Sequence, residues 1–93
     1  HATSTSLGDA SEVAAIKQVF GAHSYQIPVN STKSMLGHCM TASSMVEMIT
    51  ATLQMKHSLV HPTINLEEPD PELDLDFVPH QTRAHLAVSW RSK

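Results

Sequence analysis

The sequence has a single cysteine, Cys39, among 93 residues, so no disulfide can form within it and a cystine-stapled secreted mini-protein is excluded. A reducing compartment is expected: the cytoplasm, or a plastid or mitochondrion in a eukaryote. Aromatic residues make up only 4%, too few to fill a compact core easily. Basic residues are also few: six Lys and Arg stand against nine Asp and Glu, a formal charge of -3. That balance provides no electrostatic footprint for a nucleic acid or an anionic membrane, and neither is expected as a partner. No apolar run approaches the roughly 20 residues that span a bilayer, and no basic segment followed by an apolar stretch opens the chain. An initiator Met is missing too; His1-Ala2-Thr3-Ser4 begins as though inside a longer protein, and processing or excision is the expected explanation.

What is present is 41% hydrophobic, too apolar for a disordered tail. A chain of this length forms at most one small domain and buries a modest share of its surface, so marginal stability or a missing partner is expected. Asp9 with Glu12 three positions on reads as a capping box, and Val13, Ile16, Val19 and Phe20 follow at helical spacing, which predicts a helix over about Ala10 to Phe20, ended by Gly21. Tyr25 to Asn30 is short, β-branched and apolar and predicts a buried strand despite Pro28. Ser31 to His38 is polar and predicts a loop, leading to a second helix from Cys39 or Met40 to about Lys56. That helix is apolar nearly all round, with Glu47 its lone acid, so its extra faces are expected to meet another domain, segment or subunit. Pro69 and Pro71 interrupt an acidic connection, after which Leu73–Val78 and Leu86–Trp90 alternate and predict two short extended segments. Helix followed by strand is an α/β cadence.

His1, Lys33 and His38 are the residues that together could carry chemistry, although spacing alone also allows His38 as an ordinary residue at a helix start and Lys33 as a solvated loop lysine. Other pairings are weaker. His57 and His61 have i, i+4 spacing, but Pro62 follows at once and no third metal ligand stands at a standard distance. Cys39 and His38 are adjacent and point about 100° apart on a helix, so Cys39 reads as a packed thiol. Ser34 and His38 lack the Gly-x-Ser-x-Gly elbow of a hydrolase. Met35, Met40, Met45, Met48 and Met55 read as core filler on and near the second helix.

The order of three motifs adds what spacing does not. His1-Ala2-Thr3-Ser4-Thr5-Ser6-Leu7-Gly8-Asp9, Asn30-Ser31-Thr32-Lys33-Ser34-Met35-Leu36-Gly37-His38, and Pro62-Thr63-Ile64-Asn65-Leu66 with Asp74-Leu75-Asp76-Phe77-Val78-Pro79 strongly resemble the β-ketoacyl-acyl carrier protein synthases, from position 1 to about 89. The resemblance implies an α/β fold, part of the thiolase-like layered α/β/α architecture, with residues 1–93 a partial C-terminal domain. It implies a decarboxylative Claisen condensation in fatty acid or polyketide synthesis, the two pathways remaining open. His1 and His38 match the two histidines that bind the malonyl thioester carbonyl as it becomes an enolate. Lys33 matches the family lysine and Glu12 the glutamate expected to pair with it, a role that competes with its place in the capping box. Thr3 and Thr5 match hydroxyls along the phosphopantetheine arm. No metal and no resident cofactor is implied, because the substrates ride on the phosphopantetheine of an acyl carrier protein. That carrier protein, the N-terminal half of the synthase, and a second subunit in a homodimer or heterodimer are the implied partners.

Three departures qualify the match. The family's nucleophilic cysteine lies in the first half, so this chain by itself is expected to be inactive. Trp90-Arg91-Ser92-Lys93 stands where the family continues into an Asn-Ser-Phe-Gly-Phe-Gly-Gly loop, and Met40-Thr41-Ala42-Ser43-Ser44-Met45 where it favours Gly and Ala. A catalytically silent structural or chain-length partner in a heterodimer is therefore the alternative expectation.

Overall fold

A computed structural model describes residues 1–85. Helix α1 spans Ser6–Phe20, beginning a turn before the expected start. Thr5 is its N-cap, with extended backbone and no side-chain cap bond; its carbonyl accepts the Asp9 N–H at 2.9 Å. The capping box of Asp9 and Glu12 does not form, because Asp9 already lies inside the first turn. Its Oδ1 is buried and has no hydrogen-bond partner among the described residues; the residue lies in the first turn, at the positive end of the helix dipole. Gly21 ends the helix as expected, with φ 54° and its N–H bonded to the Lys17 carbonyl, a conformation that glycine adopts without a Cβ penalty.

The expected strand over Tyr25 to Asn30 is absent. Residues Gly21–Gln26 form a 3-10 helix in which the buried Ser24 hydroxyl donates to the Gly21 carbonyl at 2.7 Å. Beyond Ile27, a single ladder-like bond runs from Val29 N–H to the Asp76 carbonyl at 2.8 Å. Pro28 has no N–H to donate, and no strand among the described residues lies alongside to continue the pairing. The loop after it holds one helical turn, α2 (Lys33–Leu36), in which the Met35 and Leu36 N–H groups bond the carbonyl of the buried Thr32. Gly37, at φ 72°, closes it and turns the chain toward His38.

The second long helix matches expectation closely: a 3-10 turn at Met40–Ala42 runs into α3 (Ser43–His57), ended by Ser58 in the left-handed conformation. No residue of α3 is buried, and Met45, Met48 and Met55 are all more than half exposed. Strand β1 (Leu59–Val60) pairs antiparallel with β2 (Arg83–Ala84), Leu59 opposite Ala84 and Val60 opposite Arg83. Neither was the strand expected from alternation. Leu73–Val78 is irregular instead, with bends at Leu73 and Leu75 and local bonds from Leu73 N–H to the Asp70 carbonyl (3.0 Å) and from Val78 N–H to Asp76 Oδ1 (3.1 Å). The other expected segment, Leu86–Trp90, lies outside the described residues.

Among the described residues the apolar core is small: Val13 from α1 with Leu75 and Val78 from the irregular segment 73–78. Thr63 ties the late segment down, giving its N–H to the Val78 carbonyl (2.8 Å) and its hydroxyl to the Phe77 carbonyl (2.5 Å). This arrangement sets α1, the segment before it, the loop 30–38 and one face of α3 around a common hollow.

Candidate active site

The hollow is a cavity of about 720 Å³, open on one side, with His1, Thr3, Glu12, Lys33, His38 and Glu47 all on its wall. Residues far apart in sequence meet here because the N-terminal segment turns back on α1 while the loop 30–38 lies against α3. The rings of His1 and His38 sit edge to face, with centroids 5.3 Å apart and planes at 76°.

His38 is oriented by the start of the helix that follows it. The Met40 backbone N–H donates to His38 Nδ1 at 2.9 Å, and the Ser43 hydroxyl lies 3.3 Å from the same nitrogen. A nitrogen that accepts a backbone N–H carries a lone pair, so the neutral ring holds its proton on Nε2 and has one N–H to donate elsewhere.

Lys33 opens α2, and its ammonium is bonded to the carboxylate of Glu47 on α3. Its side chain is only 9% exposed. The bond to the Lys33 ammonium holds the Glu47 carboxyl below the usual carboxylate range. Glu12 was expected to fill this place and does not. Its two carboxylate oxygens instead bind the amino group of His1 and the Ala2 N–H, the latter at 2.9 Å. Through the Ala2 N–H, Glu12 thus holds the segment next to His1, and Glu47 holds Lys33. Glu47 carried a sequence signal, as the only acid in α3, fourteen positions after Lys33. With Thr50, Ala51 and Gln54 it lies at i, i+3, i+4 and i+7, the face of α3 that lines the cavity.

Thr3 reaches the cavity; Thr5 does not, being the α1 N-cap with its Oγ1 turned over Gly8, where an added Cβ would lie 2.5 Å from it. Ala2 and Ser4, on either side of Thr3, have φ values of 47° and 60°. For residues with a Cβ this is a costly region, kept only where the surroundings enforce it.

His57 and His61 do not come together as a metal pair: His57 ends α3, and His61 Nδ1 lies 3.0 Å from the Pro62 carbonyl. Among the described residues no group of three His, Cys, Asp or Glu is placed to hold a metal ion. No helix among them is long and apolar enough to cross a membrane.

An α/β chain that brings two histidines and a paired lysine to one cavity wall fits the thiolase-like condensing enzymes. The model of the beta-ketoacyl synthase C-terminal domain matches residues 1–67, and the chain belongs to that family. It is 51% identical over 84 residues, 90% of its length, to 3-oxoacyl-[acyl-carrier-protein] synthase 2 of Synechocystis sp., of which it covers 20%. It is 47% identical to nodulation protein E of Rhizobium leguminosarum bv. trifolii, with 89% of this chain and 21% of that protein covered. Among solved structures, a type II polyketide ketosynthase in complex with its acyl-carrier protein superimposes with a TM-score of 0.89 at 42% identity, over 92% of this chain and 21% of that one. The fold is therefore the α/β fold of the ketosynthases, and the chain spans about a fifth of the length of the relatives it matches.

Proposed function

We propose that this chain is the malonyl-binding side of a β-ketoacyl-acyl carrier protein synthase, an acyltransferase of fatty acid or polyketide synthesis. The observation that carries the reading is the meeting of His1 and His38 across the cavity, with His38 Nδ1 occupied by the Met40 N–H so that Nε2–H is left to donate. In this reading the malonyl thioester carbonyl accepts N–H bonds from both imidazoles. When the bond to the terminal carboxylate breaks and CO₂ leaves, its electron pair moves to that carbonyl oxygen as an enolate. N–H donors held at such an oxygen stabilise the charge that develops there, an effect of about 10²–10³ in rate per donor. The enolate carbon then attacks an acyl thioester on a cysteine supplied by the N-terminal half, and that cysteine thiolate departs.

Lys33, with Glu47 as its partner, supplies a fixed positive charge on the wall beside His38. Glu12 orders the segment that carries His1 and Thr3. The Thr3 hydroxyl serves the amides of the phosphopantetheine arm, presented by an acyl carrier protein; Thr5 serves the arm only if the cap is rearranged in the complete protein. No metal or resident cofactor takes part. The complete enzyme is a dimer working in the cytoplasm or an organelle matrix, and residues 1–93 are a partial C-terminal domain of it.

The test is CO₂ release from a malonyl thioester by the complete polypeptide that carries these residues. His38→Ala is expected to lose about 10²–10³-fold; full release by that variant would overturn the assignment.

A further inference from the structure

The cavity face of α3 holds the loop that bears Lys33 and His38 at a second point, two turns beyond Glu47. Gln54 Oε1 accepts the Asn30 side-chain N–H at 3.0 Å and the His61 backbone N–H at 2.8 Å. Asn30 Nδ2 also donates to the His61 carbonyl at 2.8 Å. The three groups close a ring that ties three separate segments together: the approach to the loop 31–38, the C-terminal half of α3, and the chain leaving β1. All three residues are half-buried, so a lost partner is not simply replaced by bulk water.

We infer that Gln54 is a positioning residue for the decarboxylation step, setting through α3 the placement of His38 and Lys33. The path is short and made of observed bonds. His38 is held by the N–H of Met40, in the 3-10 turn that runs into α3, and lies beside the hydroxyl of Ser43, the first residue of α3, while Lys33 is held by Glu47 in the first half of that helix. Both depend on where α3 lies relative to the loop. The Gln54–Asn30 bond pins the far end of that relationship, at the residue from which the loop departs. Without it, α3 retains its internal hydrogen bonds but is free to rotate about the Lys33–Glu47 pair. His38 Nε2 then moves off the carbonyl oxygen it must face.

The roles of the two side chains differ chemically, which makes the inference testable by exchange of single atoms. Among the described residues Gln54 acts as an acceptor through Oε1, so a carboxylate can replace its amide, and Asn30 acts as a donor through Nδ2, so a carboxylate cannot replace its amide. In the complete polypeptide, Gln54→Glu is expected to keep kcat for malonyl thioester decarboxylation within about 2-fold, whereas Gln54→Leu and Asn30→Asp lower it about 10-fold or more. KM should change little, because neither residue is placed on the reacting thioester. The inference rests on the proposed decarboxylation, and His38→Ala in the same assay separates the two failures. Full activity in that variant removes the functional reading itself. Loss there, with Gln54→Leu and Asn30→Asp keeping wild-type kcat or showing only a lowered Tm, overturns the positioning role alone. Loss of kcat in Gln54→Glu equal to that in Gln54→Leu also overturns it, since the acceptor would then not be what matters.

Discussion

The ammonium of Lys33 and the carboxylate of Glu47 form an ion pair in which the lysine is the buried member, 9% exposed against 41% for the glutamate. Removing the acid therefore strands a charge that water reaches poorly, whereas removing the lysine leaves an acid that water can still solvate. Glu47→Gln in the complete polypeptide is expected to lower decarboxylation about 10²-fold by displacing Lys33, with Glu47→Asp intermediate. Glu12→Gln should have a different signature, loosening the segment of His1 and Thr3 and raising the KM for the carrier-bound substrate. Steady-state kinetics on the three variants distinguish the two roles; identical kcat losses in both Gln variants would contradict the division.

His38 donates through Nε2 because Nδ1 is already accepting. A glutamine can extend its amide nitrogen to about the position of Nε2, and an asparagine cannot. His38→Gln is thus expected to retain more CO₂ release than His38→Ala, which forfeits the donor and about 10²–10³ in rate. His38→Asn should resemble the alanine variant, and the reverse order would place the active N–H on the other nitrogen.

Three carboxylates are held below their usual range by side-chain cations: Glu47 by Lys33, Asp74 by Lys17, and Asp76 by Arg83. A group whose pKa is lowered on folding adds stability that is present above its unfolded value and lost as pH falls through its folded one. Acid destabilisation from these pairs is therefore expected to set in below the ordinary values of 4.5 for Glu47 and 3.8 for the aspartates. The Lys17 pKa is raised by the same bond to Asp74, so its share persists below 10.5 and fades only as pH rises beyond that. Thermal unfolding followed from neutral pH to about 2.5 should show a shallower acid fall in Glu47→Gln/Asp74→Asn/Asp76→Asn than in the parent. Parallel curves would show that the pairs contribute nothing to the acid limb.

Ala2 occupies the left-handed region at φ 47°, beside Thr3 on the cavity wall. Such a conformation costs a residue with a Cβ roughly 1–2 kcal/mol, which offsets the entropy that glycine ordinarily loses. Ala2→Gly is expected to leave Tm within about 2 °C of the parent and activity intact. Ala2→Val, with a branched Cβ, should lower both, because the segment shifts His1 and Thr3 as it relaxes. Equal effects from the two substitutions would show that the backbone here is not constrained.

Where the signal was local, the residues alone were sufficient. The apolar spacing of Val13, Ile16, Val19 and Phe20 marked α1, Gly21 its end, and Met45 to Leu53 marked α3, because a helix closes its hydrogen bonds within one segment. The motif order identified His1, Lys33 and His38, and the cavity wall gathers all three. Strands were misplaced for the opposite reason. Tyr25 to Asn30 and Leu73 to Val78 have strand-like composition, but a strand exists only where another lies beside it, and the pairing fell to Leu59–Val60 with Arg83–Ala84.

The same distinction governs the site. The sequence by itself determined which groups are present to do chemistry: two imidazoles, an ammonium, several carboxylates and the hydroxyls of the first turn. Tertiary structure alone decided their partners, assigning Glu47 rather than Glu12 to Lys33, Met40 N–H to His38, and Gln54 to Asn30. Hydrogen bonds and ion pairs act over about 3 Å, and residues 14 or 24 positions apart reach that distance only when packing has already fixed the helix and the loop that carry them.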